Sequence, residues 1–176
     1  DEHISDRPCP QNGEFLFGIG IDHGSDAGSQ CAVLVAVDIS DKKDPFLYVL
    51  DEVVAGAAPA EVHARSILAM IERNNLKPGH INRWTGDRAH GGNQFGGKMS
   101  NRMIMAAFSH LLGYDTKRLP FSIRTAHKPR FSVYYTCSAI HAKMAKKRFS
   151  IHPRCTGLIK SFKFWALKKN GWLDTL

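Results

Sequence analysis

The sequence predicts an α/β fold in which a mixed central sheet, an antiparallel meander plus parallel strands, carries helices on both faces. Three β-rich segments joined by short turns occupy the first third of the chain. Segments with helical periodicity then alternate with short extended segments, the order typical of a sheet covered by helices. The 176 residues suit one domain with a sizeable core. We assign this domain to residues 14–176, preceded by a proline-containing linker or N-terminal arm at 1–13.

The first predicted strand runs from Phe15 to Asp22 and ends on a carboxylate. Large apolar side chains occupy alternate positions, as expected for one buried face of a strand. The other face holds Gly18 and Gly20, which suits close approach by another element. The strand delivers Asp22 to its carboxyl end, the edge at which open α/β sheets build their sites. On its own, Asp22 is explained more simply as a turn-capping aspartate.

The remaining elements follow from the same two periodicities. Further strands are predicted at Cys31–Asp38, Phe46–Val54, Ile81–Gly86 and Phe121–Arg124, with a short extended stretch at Phe149–His152. One helix begins at Pro59, a residue favoured in the first turn, and ends by Asn74. Other helices are predicted at Met99–Leu112, Lys128–Ala145 and Cys155–Lys168.

The net charge of +8 is unevenly distributed. Residues 1–116 carry 10 basic and 15 acidic side chains, a net charge of −5, whereas residues 117–176 carry 14 basic side chains and one acid, a net charge of +13. Such a basic segment attracts polyanions, and we expect the partner to be nucleic acid. A solvated basic face without a partner is the less favoured alternative. The candidate DNA-binding residues are Lys98, Lys128, Arg130, Lys143, Lys146 and Lys147.

Several classes of protein are disfavoured. No apolar run approaches the ~20 residues that span a bilayer, so we expect no membrane partner. No signal peptide is visible at the N-terminus. The four cysteines are widely spaced and are interpreted as reduced thiols of a cytoplasmic protein. His152 and Cys155 are a close pair of zinc-type ligands, but we do not expect a zinc site.

Three aspartates stand at positions where a metal site could form. Asp22 ends the first strand, Asp87 ends the fourth in Thr-Gly-Asp-Arg-Ala, and Asp174 lies near the C-terminus. If the first and fourth strands are parallel neighbours, Asp22 and Asp87 lie side by side and repel each other unless a cation lies between them. Mg²⁺ or Mn²⁺ suits carboxylate ligands, and two such ions can promote phosphodiester hydrolysis. Each aspartate alone can also be a turn or surface acid.

Five short segments, in their order and spacing, resemble the nuclease domain of the large terminase subunit of tailed bacteriophages. They are Gly-Ile-Asp-His-Gly, Tyr-Val-Leu-Asp-Glu, Thr-Gly-Asp-Arg-Ala, Ile-His-Pro-Arg-Cys-Thr-Gly-Leu-Ile and Leu-Asp-Thr-Leu. The resemblance extends from Phe15 to Leu176. That domain is similar to RNase H and to RuvC-type resolvases, so the resemblance implies an RNase H-like fold.

The resemblance also implies an activity and a set of site residues. The activity is metal-dependent endonucleolytic cutting of concatemeric viral DNA, with little sequence specificity, during genome packaging in the host cytoplasm. Asp22, Asp87 and Asp174 are implied to be catalytic and to bind two divalent ions, Mg²⁺ or Mn²⁺. Asp26 is an auxiliary ligand, and Glu52 is a weaker candidate. The implied protein partners are the phage portal, the small terminase subunit and an ATPase domain of the same polypeptide, which is absent from this chain.

A glycine-rich segment follows Asp87 in the sequence. The segment 92–99 nearly matches the phosphate-binding pattern GxxxxGK[ST], but Met99 stands where a hydroxyl residue would bind Mg²⁺. We interpret it as part of a glycine-rich loop after Asp87, with Lys98 near a DNA phosphate. The alternatives are a RuvC-like structure-selective nuclease on the same fold and a non-catalytic nucleic-acid-binding module whose acids are structural.

Overall fold

The computed structural model describes residues 2–6, 14–23, 30–56, 58–86, 100–126 and 132–167. The strands are β1 (Phe15–Asp22), β2 (Gln30–Asp38), β3 (Phe46–Ala55), β4 (Ile81–Gly86), β5 (Ile123–Thr125) and β6 (Phe149–Ile151). The helices are α1 (Ala60–Arg73), α2 (Asn101–Leu112), α3 (Ser132–Ala145) and α4 (Thr156–Leu167), and short 3₁₀ turns lie at Pro78–His80 and Thr116–Arg118.

The six strands form one mixed sheet in the order β5-β4-β1-β2-β3-β6. Strands β1, β2 and β3 are an antiparallel meander. Strand β4 pairs with β1 in parallel, β5 with β4 in parallel, and β6 with β3 in parallel. The predicted α/β class with a mixed sheet is therefore confirmed. The first and fourth strands are parallel neighbours, the condition under which Asp22 and Asp87 were expected to meet.

Both faces of the sheet carry helices. On one face, α1 and α2 pack over the main core, which includes Ile19, Leu34, Ile67, Met70, Ile104 and Phe108. On the other face, α3 and α4 pack over the half of the sheet formed by β2, β3 and β6, through a smaller cluster that includes Val35, Val49, Ile140, Phe149, Ile151 and Ile159. The two clusters lie on opposite faces because side chains alternate along each strand.

Two predicted boundaries differ from the observed ones for reasons of packing. Strand β5 begins at Ile123 rather than Phe121, because the Phe121 ring turns into the core and stacks on Trp84 with ring centroids 4.2 Å apart. The stretch expected only to be extended near Phe149 joins the sheet as β6, where Ile151 pairs with Val49.

A buried carboxylate on β3 ties the sheet to α1. Asp51 is only 1% exposed. It accepts hydrogen bonds from Arg73 Nε at 2.6 Å and Nη2 at 2.8 Å, and from Asn74 Nδ2 at 2.7 Å. The pairing of β2 with β3 shifts in register between Leu34 and Val35, so β3 has a bulge just before Asp51. The bulge changes the side-chain alternation of β3. Burial by itself raises the pKa of Asp51, but the hydrogen bonds from Arg73 and Asn74 outweigh it and hold that pKa below its usual value.

We expect Asp51→Asn to lower the free energy of unfolding by about 2–3 kcal/mol, less than for a fully buried pair because Arg73 is 43% exposed. The asparagine keeps the shape but leaves the Arg73 guanidinium without its anion. Because the pKa of Asp51 is depressed in the folded state, the wild-type contribution is complete above the unfolded pKa of about 3.9 and is lost as the pH falls through the folded value.

Urea unfolding between neutral and acidic pH measures this effect. The matched control is Glu61→Gln, which breaks the exposed Glu61–Arg65 pair at 3.1 Å and should cost less than about 0.5 kcal/mol. Equal stability of the two variants at neutral pH would show that the Asp51 network does not stabilise the fold.

Candidate metal-binding and catalytic site

Asp22 is the last residue of β1 and is exposed. Its neighbours in the strand, Ile19 and Ile21, point into the main core, so the Asp22 side chain lies on the opposite face. Cys31 of β2 pairs with it across the sheet. Burial raises the pKa of the Cys31 thiol, and the negative charge of Asp22, its cross-strand neighbour, raises it further. Asp22 therefore presents an exposed carboxyl group at a strand end.

The carboxyl end of β4 lies beside the carboxyl end of β1. Gly86, the last residue of β4, pairs with Ile21, and the next residue in the sequence is Asp87. A Cβ at Gly86 would lie 1.8 Å from Asn101 Oδ1 and 2.9 Å from Ile123 Cγ2. Only glycine fits here without movement of Asn101. The start of α2 thus packs directly on the end of β4.

A histidine links these two strand ends. His23 follows Asp22, is 5% exposed, and its Nε2 donates a hydrogen bond to Asn101 Oδ1 over 2.6 Å. Asn101 is the first residue of α2, and the preceding Ser100 caps that helix by accepting from the Met103 N–H. The His23–Asn101 hydrogen bond therefore joins the end of β1 to the helix start that packs on Gly86. This positioning pair was not identified from the sequence, because it depends on a contact between residues 78 positions apart.

A second buried histidine lies in the core near this end of the sheet. His63 of α1 is fully buried, and neither of its ring nitrogens has a hydrogen-bond partner among the described residues. Burial lowers the pKa of His63, and the nearby His23 lowers it further. Both effects favour the neutral form of the imidazole in the folded state.

Glu52 has a structural role in the described part of the chain. Its two carboxylate oxygens accept the backbone N–H groups of Gly157 at 2.6 Å and Leu158 at 2.9 Å, at the start of α4. A carboxylate at a helix N-terminus satisfies unpaired donors and interacts favourably with the helix dipole. This contact gives Glu52 a helix-capping function that its position on a strand did not suggest.

The predicted site residues are only partly covered by the structure. Asp22, Lys143, Lys146 and Lys147 are described, whereas Asp26, Asp87, Asp174, Lys98, Lys128 and Arg130 lie outside the described residues. Within the described ranges, no group of three or more His, Cys, Asp or Glu side chains is placed to bind a metal ion. Asp22 supplies the oxygen ligands that Mg²⁺ and Mn²⁺ prefer, so its chemistry fits the implied ions.

The three described lysines of the predicted basic patch are paired with acids. Lys143 Nζ lies 2.6 Å from Asp44 Oδ1 and also donates to the Pro45 carbonyl. Lys146 lies 3.5 Å from the same aspartate, and Lys147 lies 3.6 Å from Glu2. These pairs lower the positive potential of the patch. Its role in DNA binding stays a prediction.

Comparisons with known proteins give no significant match to a protein family, a curated protein or a solved structure. None of the helices in the described ranges has both the length and the apolar character needed to cross a bilayer.

We expect acidification to destabilise the fold through His63. Because the pKa of His63 is lowered by burial, the unfolded chain binds a proton more readily than the folded chain. Stability should therefore fall as the pH drops below the unfolded value of about 6.5, with a slope of up to roughly 1.4 kcal/mol per pH unit. The apolar variant His63→Met should flatten this part of the profile.

Urea unfolding at several pH values between 7 and 5 provides the measurement. The control is His110→Gln on α2, whose side chain is 77% exposed and lies 3.9 Å from Glu61, and which should change the slope less than His63→Met does. A slope that His63→Met does not reduce would mean that other groups cause the acid sensitivity.

Proposed function

We propose that this chain is a metal-dependent DNA endonuclease domain with an RNase H-like fold. One observation carries the proposal. The exposed carboxylate of Asp22 ends a strand whose parallel neighbour ends in register with it, since Ile21 pairs with Gly86 immediately before Asp87. Parallel strand ends that carry two acids are a suitable place for divalent ions.

The sheet topology supports the fold part of this proposal. A three-stranded antiparallel meander is extended by two parallel strands on the side of β1. That combination was expected from the resemblance to terminase nuclease domains. The sixth strand adds to the other edge and leaves this arrangement unchanged.

In the proposed mechanism, Asp22 and Asp87 are the principal metal ligands, with Asp174 as the third and Asp26 as an auxiliary ligand. Two divalent ions, when bound, would activate the attacking water and stabilise the leaving oxygen of the phosphodiester. The chain's own contribution is to hold the carboxylates. Strand β1 is hydrogen-bonded on both sides, which fixes the backbone of Asp22.

His23 and Asn101 contribute positioning in this mechanism. Their hydrogen bond spans the carboxyl ends of β1 and β4 and opposes separation of the two strand ends. A site of this kind depends on carboxylates held at fixed separation, because misplacement by about 1 Å lowers the rate steeply. The biological substrate proposed from the resemblance is concatemeric viral DNA, with the portal and the small terminase subunit as packaging partners.

Nicking of supercoiled plasmid in the presence of Mn²⁺ or Mg²⁺ tests the proposed function. We expect the wild type to cut only with metal, and Asp22→Asn and Asp87→Asn each to lower the rate by at least about 100-fold, because each removes a charged ligand. The matched control is Asp38→Asn, an aspartate that ends β2 and pairs with Phe15, at the opposite end of β1 from Asp22. Its rate should equal that of the wild type.

The other outcomes separate the alternatives. Strong preference for a four-way junction over linear duplex would favour a structure-selective nuclease. DNA binding without cleavage by the folded wild-type chain would favour a non-catalytic binding module. Full activity of Asp22→Asn would remove Asp22 from the site.

A further inference from the structure

Half of one sheet face carries no described helix. On β1, β4 and β5, the side chains that point away from α1 and α2 form a continuous surface, here called the open face. Its residues are Leu16, Gly18, Gly20, Asp22, Arg83, Thr85 and Arg124. The described parts of α3 and α4 pack instead over the β2, β3 and β6 half. A Cβ at Gly20 would have no atom within 4 Å in the described structure, and Leu16 is 43% exposed.

The open face carries two arginines in addition to Asp22. Arg83 pairs with Gly18 and Arg124 pairs with Thr85, so both side chains point to the same side of the sheet. Both are exposed, and both line one cleft of about 300 Å³ beside β4. Neither forms an ion pair with a described residue, in contrast to Lys143, which is bound to Asp44.

The two arginines lie within reach of a ligand that also reaches Asp22. Strands lie about 4.8 Å apart and rise about 3.3 Å per residue, which places the Cα atoms of Arg83 and Arg124 about 12–14 Å from that of Asp22. Duplex DNA carries one charge about every 1.7 Å of its axis, so a duplex that contacts Asp22 presents several phosphates over this distance.

We propose that the open face is the track along which double-stranded DNA reaches the site, with Arg83 and Arg124 bound to backbone phosphates. The cleavage part of this statement rests on the proposed function, whereas the binding part does not. Charge complementarity identifies the occupant, because two arginines without described acidic partners face a polyanion. Gly20, where an added Cβ would have no described atom within 4 Å, allows close approach of the DNA backbone to the strand.

The composition of the open face favours duplex over single-stranded nucleic acid. Proteins that bind single strands stack bases on aromatic side chains. None of the seven open-face residues is aromatic. Contacts limited to phosphates also give little sequence specificity.

The test compares two variants that each remove two arginine charges. Arg83→Ala/Arg124→Ala removes the charges of the open face. The control, Arg65→Ala/Arg118→Ala, removes two exposed arginines from α1 and from the 3₁₀ turn at 116–118. Binding of a fluorescent duplex is measured by anisotropy in EDTA over a range of NaCl concentrations, so that no cleavage occurs. Circular dichroism verifies that each variant is folded.

Loss of two phosphate contacts should reduce the slope of log K against log salt by about 2 for the open-face variant. Its affinity at ~0.1 M salt should fall at least tenfold relative to the control variant. Equal slopes and affinities for the two variants, tighter binding of a single strand than of the duplex, or no DNA binding by the wild type would each overturn the proposal.

Plasmid nicking by the same proteins separates this proposal from the proposed function. If the wild type binds duplex through the two arginines but does not cut, DNA binding by the open face is supported and the nuclease proposal fails. If the wild type cuts and the open-face variant binds and cuts like the control, the proposal that the open face binds DNA is wrong and the nuclease proposal is supported.

Discussion

Strand β1 is hydrogen-bonded in opposite senses to its two neighbours, and both halves of the sheet depend on this arrangement. It pairs antiparallel with β2 along its whole length and parallel with β4. Ile19 and Ile21 fill part of the main core, while Gly20 leaves space on the other face. One face of the strand therefore packs in the core, and the other face carries the candidate site residue Asp22. A one-residue change of register would exchange the two faces, because the side-chain period is two.

Two adjacent acids on β3 fasten helices to opposite faces of the same sheet. Asp51 accepts hydrogen bonds from Arg73 and Asn74 at the end of α1, and Glu52 caps the start of α4. Neighbouring strand residues point to opposite faces, so this sequence pair is able to contact both helix layers. Such buried carboxylates lose hydration on folding, and they are retained only where several donors replace the lost water. Here each carboxylate accepts at least two N–H groups.

The sequence was sufficient for most of the elements and for the position of Asp22 at a strand end, because both follow from short-range patterns. Alternation identified β1 and its terminal Asp22, and helical spacing identified α1. The sequence was insufficient wherever a contact joins residues that are far apart in the chain. The cap between Glu52 and Gly157 joins residues 105 positions apart, and the pairing of Lys143 with Asp44 joins residues 99 apart. Neither pairing has a local signature.

The same limit explains why the sequence did not single out the two arginines near the site. Arg83 stands in the acidic part of the sequence and Arg124 is one of many basic residues in the C-terminal part, and only the parallel pairing of β4 with β1 and β5 places both on the face that carries Asp22. Counting charges along the chain instead emphasised the lysines of α3, whose described members contact acids. Charge patterning along a sequence indicates that a polyanion binds, whereas strand order decides which surface faces it.

The central claim is that the paired ends of β1 and β4 bind divalent metal. Anomalous diffraction from crystals of the wild-type chain soaked in Mn²⁺ tests this most directly, because it locates the ion without relying on turnover. The account predicts a manganese peak in contact with the Asp22 carboxylate and beside the end of β4, absent from crystals of Asp22→Asn. Manganese bound only at other positions, or an identical peak in Asp22→Asn, would contradict it.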